Sequence, residues 1–195
     1  MLAADRLPEA VEEAKIAQRL DPFSVVIAAR VATALYFAHR YREAAEQGER
    51  QFELDPQFFQ GRAELGRAQV LLGRCPEGLA ALEKSPEQLA AQTRGVLGFA
   101  YGRCGHRAKA LAEIERLRAQ SRAGVYASHY AIAVIYASLG DKERALAELD
   151  RAYDERAWAL FTIKAEPAFE LLHGDPRFAS LVAKVGLSPV GLEPK

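Results

Sequence analysis

Small and apolar residues recur along this chain in amphipathic stretches with a period near that of a helical hairpin. Ala10, Ala44, Gly78, Ala110 and Ala145 are separated by 34, 34, 32 and 35 residues, and Pro22 and Pro56, each preceded by Asp, stand 34 apart. A second set of marks runs in phase: Leu65-Gly66 before Gly73, Leu97-Gly98 before Tyr101 and Gly105, and Ile132-Ala133 before Tyr136 and Gly140. Val31-Ala32, Leu35 and His39 hold the same slots more loosely. Self-similarity at this period predicts a stack of repeated units, each a pair of helices. Gly98, Ala110, Ala133 and Ala145 are small enough to let two helices approach closely. Gly73, Gly105 and Gly140 fall where the first helix of a pair must stop, in the left-handed conformation that glycine tolerates. Asp21-Pro22 and Asp55-Pro56 read as a carboxylate cap followed by a proline that opens the next element. One hairpin cannot bury its own apolar stripe, so neighbours must stack.

The phase divides residues 1–187 into a single array: a partial repeat 1–24, repeats 25–58, 59–90, 91–125 and 126–157, and a capping segment 158–187. In the partial repeat Ala10 falls in a second helix, and only Met1 to about Asp5 remain of a first one. This predicts a half-repeat cap, or a chain cut from a longer protein. The third repeat departs from the pattern, with Gln69 where Tyr is usual and Gly78 where Ala is usual, so Cys75 to Pro86 should be a short or irregular helix. In the capping segment Asp175-Pro176 again reads as cap and first turn, with Phe178, Leu181 and Val182 on one helical face. Residues 188–195, with two prolines and a glycine, should be a disordered tail.

Composition agrees with an all-α chain and narrows its chemistry. Half of the 195 residues are apolar, and the 26 Lys and Arg residues balance the 26 Asp and Glu residues. That balance gives no global pull toward nucleic acid or an anionic membrane. Asparagine is absent and Arg outnumbers Lys, which points to a GC-rich bacterial genome. No run reaches the ~18 apolar residues of a membrane span, and the start is not a signal peptide. The simplest placement is cytoplasmic, with the periplasm as the alternative if a longer parent carries a span upstream. Cys75 and Cys104 do not make a disulfide framework. Adjacent repeat turns usually lie beyond the ~7 Å Cα separation that a bridge requires, so both are expected as free thiols. With His106 they suggest a three-ligand metal site, but no fourth ligand is evident, so neither metal nor other cofactor is expected. No phosphate-binding or zinc-protease motif occurs, no catalytic residues are assigned, and the chain is read as a non-enzyme. Glu12-Glu13 and Glu148-Asp150 are expected on solvated helix faces.

The phased marks resemble the tetratricopeptide repeat (TPR), with Ile132 to Ala152 the best single match. Tyr136 to Asp141, Ala152-Tyr153, Pro167-x-Phe169 and Asp175-Pro-Arg-Phe178 are similar to the C-terminal TPR region of bacterial multidomain signalling proteins, including winged-helix regulators, Ser/Thr kinases and nucleotide cyclases. The resemblance implies a right-handed solenoid of antiparallel helix hairpins with a C-terminal capping helix. It also implies a protein-interaction scaffold, the ligand-reading module of a bacterial regulator, whose concave groove is lined by first helices.

Carried over position by position, that groove would hold Arg30, Thr33, Tyr36, Phe37, Glu64, Arg67, Phe99, Arg103 and Tyr130. Arg30, Arg67 and Arg103 would form a basic line suited to carboxylates. Tyr36, Phe37, Phe99 and Tyr130 would serve as aromatic anchors. The partner would then be a protein or peptide with acidic and apolar side chains. The competing reading is that the aromatics pack between helices while the arginines pair with local glutamates such as Glu64. A carboxylate clamp of the chaperone-binding kind needs asparagines that this chain lacks. Head-to-tail self-assembly through the truncated first repeat is the alternative function.

Overall fold

A computed structural model describes residues 6–55, 58–83, 90–123 and 128–187. The described part is helical, with no strand: α1 (Leu7–Leu20), α2 (Val25–Phe37), α3 (Tyr41–Leu54), α4 (Phe59–Leu71), α5 (Cys75–Glu83), α6 (Ala90–Arg103), α7 (Arg107–Arg122), α8 (His129–Ser138) and α9 (Lys142–Asp154). Two 3-10 segments, Trp158–Thr162 and Pro167–Leu172, lead to α10 (Pro176–Lys184). The expected tail 188–195, residues 1–5 of the partial repeat, Pro56 and Pro86 lie outside the described residues.

Each helix from α1 to α8 packs on the next, and α9 packs on α10. A second set of contacts joins alternate helices, α2 to α4, α4 to α6, α6 to α8, and α8 to the second 3-10 segment. Turns of a few residues make sequential helices antiparallel, so α2, α4, α6 and α8 run side by side in one direction and the second helices form the other layer. Gly73, Gly105 and Gly140 have φ of 79°, 79° and 77°, and His39 takes the same slot in the first full hairpin at φ 59°. At each of these positions the chain must turn in the left-handed region to start the second helix. Glycine reaches that region without steric cost, and histidine is among the side chains that tolerate it.

Close approach accounts for the small residues. Ala44, Ala110, Ala133 and Ala145 are fully buried. A Cβ on Gly48 of α3 would lie 2.8 Å from the Leu65 Cβ and 3.0 Å from the Leu65 Cα of α4. Only glycine permits that crossing. α5 spans nine residues, the short helix expected for the third repeat, and a Cβ on Gly78 would press on the Gly66 carbonyl of α4 at 2.8 Å.

Three local expectations are corrected. Asp21 does not cap α2: it closes α1, and Ser24 is the N-cap, its hydroxyl accepting from the Ile27 N–H. Pro22 does not open the helix, and α2 starts three residues later than expected, at Val25. Asp55 likewise closes α3. At the end of the chain Asp175 does cap α10, accepting from the Arg177 N–H with Pro176 at the first helical position. The second correction concerns the cysteines, which are joined to each other. Cys75 opens α5 and Cys104 follows α6, and their Cα atoms are 5.7 Å apart. Stacking of the third and fourth repeats brings these two turns closer than ordinary repeat spacing. Third, Glu148 is not solvated. It is buried on α9 and receives Arg118 at 3.2 Å, Arg151 at 2.9 Å and His129 Nδ1 at 2.5 Å. The stacking of α7, α8 and α9 covers this carboxylate.

Candidate functional site

The inner faces of α2, α4 and α8 build a buried polar cluster. Glu64 of α4 accepts from the Thr33 hydroxyl at 2.9 Å and from Arg67 at 2.5 Å. The Arg67 guanidinium lies over the Tyr36 ring, 4.2 Å from its centroid. Tyr36 donates to Glu166 at 2.9 Å across 130 residues of sequence, and Tyr130 and Thr162 hydrogen-bond at 3.0 Å. Glu166 also accepts from the Ala168 N–H, which caps the second 3-10 segment. The C-terminal segment therefore does more than cover the last hairpin. It crosses the first helices as far as α2, and Ala165 joins the apolar cluster of Val31, Leu35 and Tyr36.

Burial dominates the electrostatics of this cluster. Desolvation raises the Tyr36 hydroxyl pKa well above its ordinary value, with the Glu166 carboxylate adding to the rise. Desolvation also raises Glu166, opposed by the charge of Arg67. Arg67 is held above its ordinary value by Glu64, Tyr36 and Glu166 against the cost of burial. Arg67 Nε and Glu64 Oε2 are buried without a hydrogen-bond partner. These groups hold a charge-paired interior together.

The nine sequence-predicted residues divide accordingly. Thr33, Tyr36, Glu64 and Arg67 belong to the cluster, and Tyr130 reaches its edge through Thr162. Phe37 and Phe99 are buried, Phe37 edge-on to Tyr36 with ring centroids 5.3 Å apart. The four aromatics lie between helices, where they offer almost no surface. The three arginines occupy separate surroundings. Arg67 is inside with Glu64, whereas Arg103 is exposed at the end of α6, near enough to Tyr41 to oppose the rise in its pKa. Arg30 is exposed on α2. Sequence reasoning missed Glu166 and Thr162, because no periodicity marks a contact made by 3-10 turns at this separation.

Arg30 lies in a cleft of about 670 Å³ between α1 and α2, lined by Arg6, Glu9, Ala10, Glu13, Ala14, Arg30 and Ala34. The lining combines three alanines, of which Ala34 is buried, with side chains of both charges. Arg6 approaches Glu9 at 4.0 Å, and among the described residues Arg30 has no ion-pair partner. Ala10 is half-exposed here, although its counterparts Ala44, Ala110 and Ala145 are fully buried by a first helix. Such an opening can receive apolar surface bracketed by charge. Among the described residues no group of three His, Cys, Asp or Glu side chains is placed to hold a metal.

Compared with known proteins, the chain matches no family model and no curated protein. Residues and geometry therefore define the class, an all-helical chain of consecutively packed hairpins.

Proposed function

We propose that this chain is a TPR-type array, a right-handed solenoid of antiparallel hairpins, acting as a protein-interaction scaffold that reads a partner for a bacterial regulator. The observation that carries the reading is the cleft at Arg30, where an exposed cation stands beside the partly exposed Ala10 and Ala14. The phased left-handed turns and the side-by-side first helices support the TPR assignment. Arginine selects carboxylates through paired hydrogen bonds, which favours a partner with acidic and apolar side chains. Because Tyr36, Phe37, Phe99 and Tyr130 are buried, the partner meets the open first hairpin instead. No helix is long and apolar enough to cross a membrane among the described residues. A disulfide persists in oxidising compartments, so the Cys75–Cys104 bridge favours the periplasmic placement over the cytoplasmic one.

Capture of partners from the source bacterium, using the parent chain beside Arg30→Glu and Arg103→Glu, tests the scaffold reading. A protein retained by the parent and lost with Arg30→Glu supports it. Nothing specific retained by the parent overturns it. Arg67 is unsuitable for this comparison, since its removal disturbs the interior.

Head-to-tail self-assembly has one observation in its favour. Leu20, Phe23 and Val26 are 82%, 79% and 51% exposed at the first hairpin, and Trp158 is 75% exposed beyond α9. Light scattering over a concentration series distinguishes it, and a strict monomer at high concentration removes it.

A further inference from the structure

The turns at Gly73 and Gly105 bring the two cysteines of the chain together in a setting that favours sulfur chemistry. Cys75 opens α5 and Cys104 follows α6, bridged with Cα atoms 5.7 Å apart. Both cysteines are partly exposed, and Arg74, Arg103, His106 and Arg107 beside them are exposed. Within three residues of either cysteine along the chain, those three arginines and His106 stand against a single acid, Glu77. A Cβ added at Gly73 or at Gly105 would meet nothing within 4 Å, so both turns are open to solvent. Buried bridges in apolar surroundings are inert, whereas accessible sulfurs among cations exchange readily. The two sulfurs are also unlike each other. Cys104 packs against the apolar cluster that includes Phe99, Ala100 and Tyr101, whereas Cys75 holds the first position of a nine-residue helix.

We propose that the Cys75–Cys104 bridge is a thiol-exchange site, opened and re-formed by a small carboxylate-bearing thiol of the cysteine or glutathione class. The thiolate of that co-reactant attacks Cys75 Sγ, where the positive end of α5 and exposed Arg74 draw an approaching anion. The bond between the two cysteines breaks, and its electron pair leaves with Cys104 Sγ as a thiolate, with Arg103 and His106 close by in the chain. Cys75 then carries the small thiol as a mixed disulfide. A second thiolate attacks the co-reactant's sulfur in that mixed disulfide, and Cys75 leaves as a thiolate at the helix start. Both cysteine thiolates take protons from water. Two small thiols become one disulfide as the bridge gains two electrons, and the reverse sequence closes it. Opening unties the α4–α5 hairpin from the end of α6. Leu79 and Leu82 in the core, and Glu83 bonded to the Tyr101 hydroxyl at 2.8 Å, keep the rest of α5 docked. The exchange therefore alters how firmly two neighbouring hairpins are joined while each keeps its helices.

The test treats the oxidised full chain with reduced glutathione in native buffer, quenches by alkylation and maps the products by mass spectrometry. The bridge should open without denaturant, at a rate within about tenfold of that in urea. The first product should carry glutathione on Cys75 and the alkyl group on Cys104. Oxidised glutathione added after full reduction should restore the bridge. The double variant Arg74→Gln/Arg103→Gln should slow glutathione about threefold more than it slows cysteamine, a thiol that carries an ammonium group instead of carboxylates. Both arginines are exposed, so the substitutions spare the core, and circular dichroism checks the fold. A bridge that opens only when urea unfolds the chain overturns the proposal. So does glutathione found on Cys104 as often as on Cys75, or a double variant that slows both thiols equally.

Discussion

Reduction of the Cys75–Cys104 bridge should weaken the array without dissolving its helices. The bridge spans 29 residues of sequence and fastens the start of α5 to the end of α6. Cross-linking a loop of that length removes about 12 cal/mol/K of chain entropy from the unfolded state, or about 3.6 kcal/mol at 25 °C. This is an upper figure, because residual structure in the unfolded chain already restricts the loop. A loss of about 2–3.5 kcal/mol on reduction is therefore expected. The assay is urea unfolding followed by far-ultraviolet circular dichroism, on oxidised protein, reduced protein and the Cys75→Ser/Cys104→Ser double variant. Reduced protein and double variant should share one midpoint, well below that of the oxidised chain, with native helical signal at zero denaturant. Thiol titration of the unfolded, unreduced protein should find none free. Two reactive thiols in protein made in an oxidising compartment, or midpoints that coincide with and without reductant at equal slope, would refute the reasoning.

Other expectations concern the interior. Tyr36→Phe leaves the buried Glu166 carboxylate one donor short, and should cost about 1.5–3 kcal/mol in urea unfolding; a change below about 0.5 kcal/mol would show that the contact across 130 residues does not hold the C-terminal segment. Gly48→Ala should destabilise although alanine is the better helix former by about 1 kcal/mol, because overpacking against the Leu65 backbone costs about 1–3 kcal/mol; a stabilised variant would mean that α3 and α4 do not cross so closely. His173 is stacked on Phe178, and its burial lowers its pKa from the ordinary 6.5, against the opposing charge of Glu170. A folded value below the unfolded one means that the contribution is complete above about 6.5 and is lost as pH falls through it. Stability measured from pH 7 down to 5 should therefore decline less steeply in His173→Gln, and an unchanged slope would exclude this residue as the source.

The sequence by itself determined the local and repeated features, because these are set by backbone sterics within one hairpin. A left-handed turn needs glycine or a tolerant substitute, so the stops at Gly73, Gly105 and Gly140 were legible and the looser slot at His39 followed from phase. A close crossing excludes side chains, so Ala44, Ala110 and Ala145 marked where second helices meet first ones. Arg30 was also legible as a candidate, since its position repeats. Only the tertiary structure decided what joins distant segments. The contact of Glu166 with Tyr36, the approach of Cys75 to Cys104 and the burial of Glu148 depend on how successive hairpins stack. Small rotations accumulated over several hairpins set those distances, and no residue spacing records them.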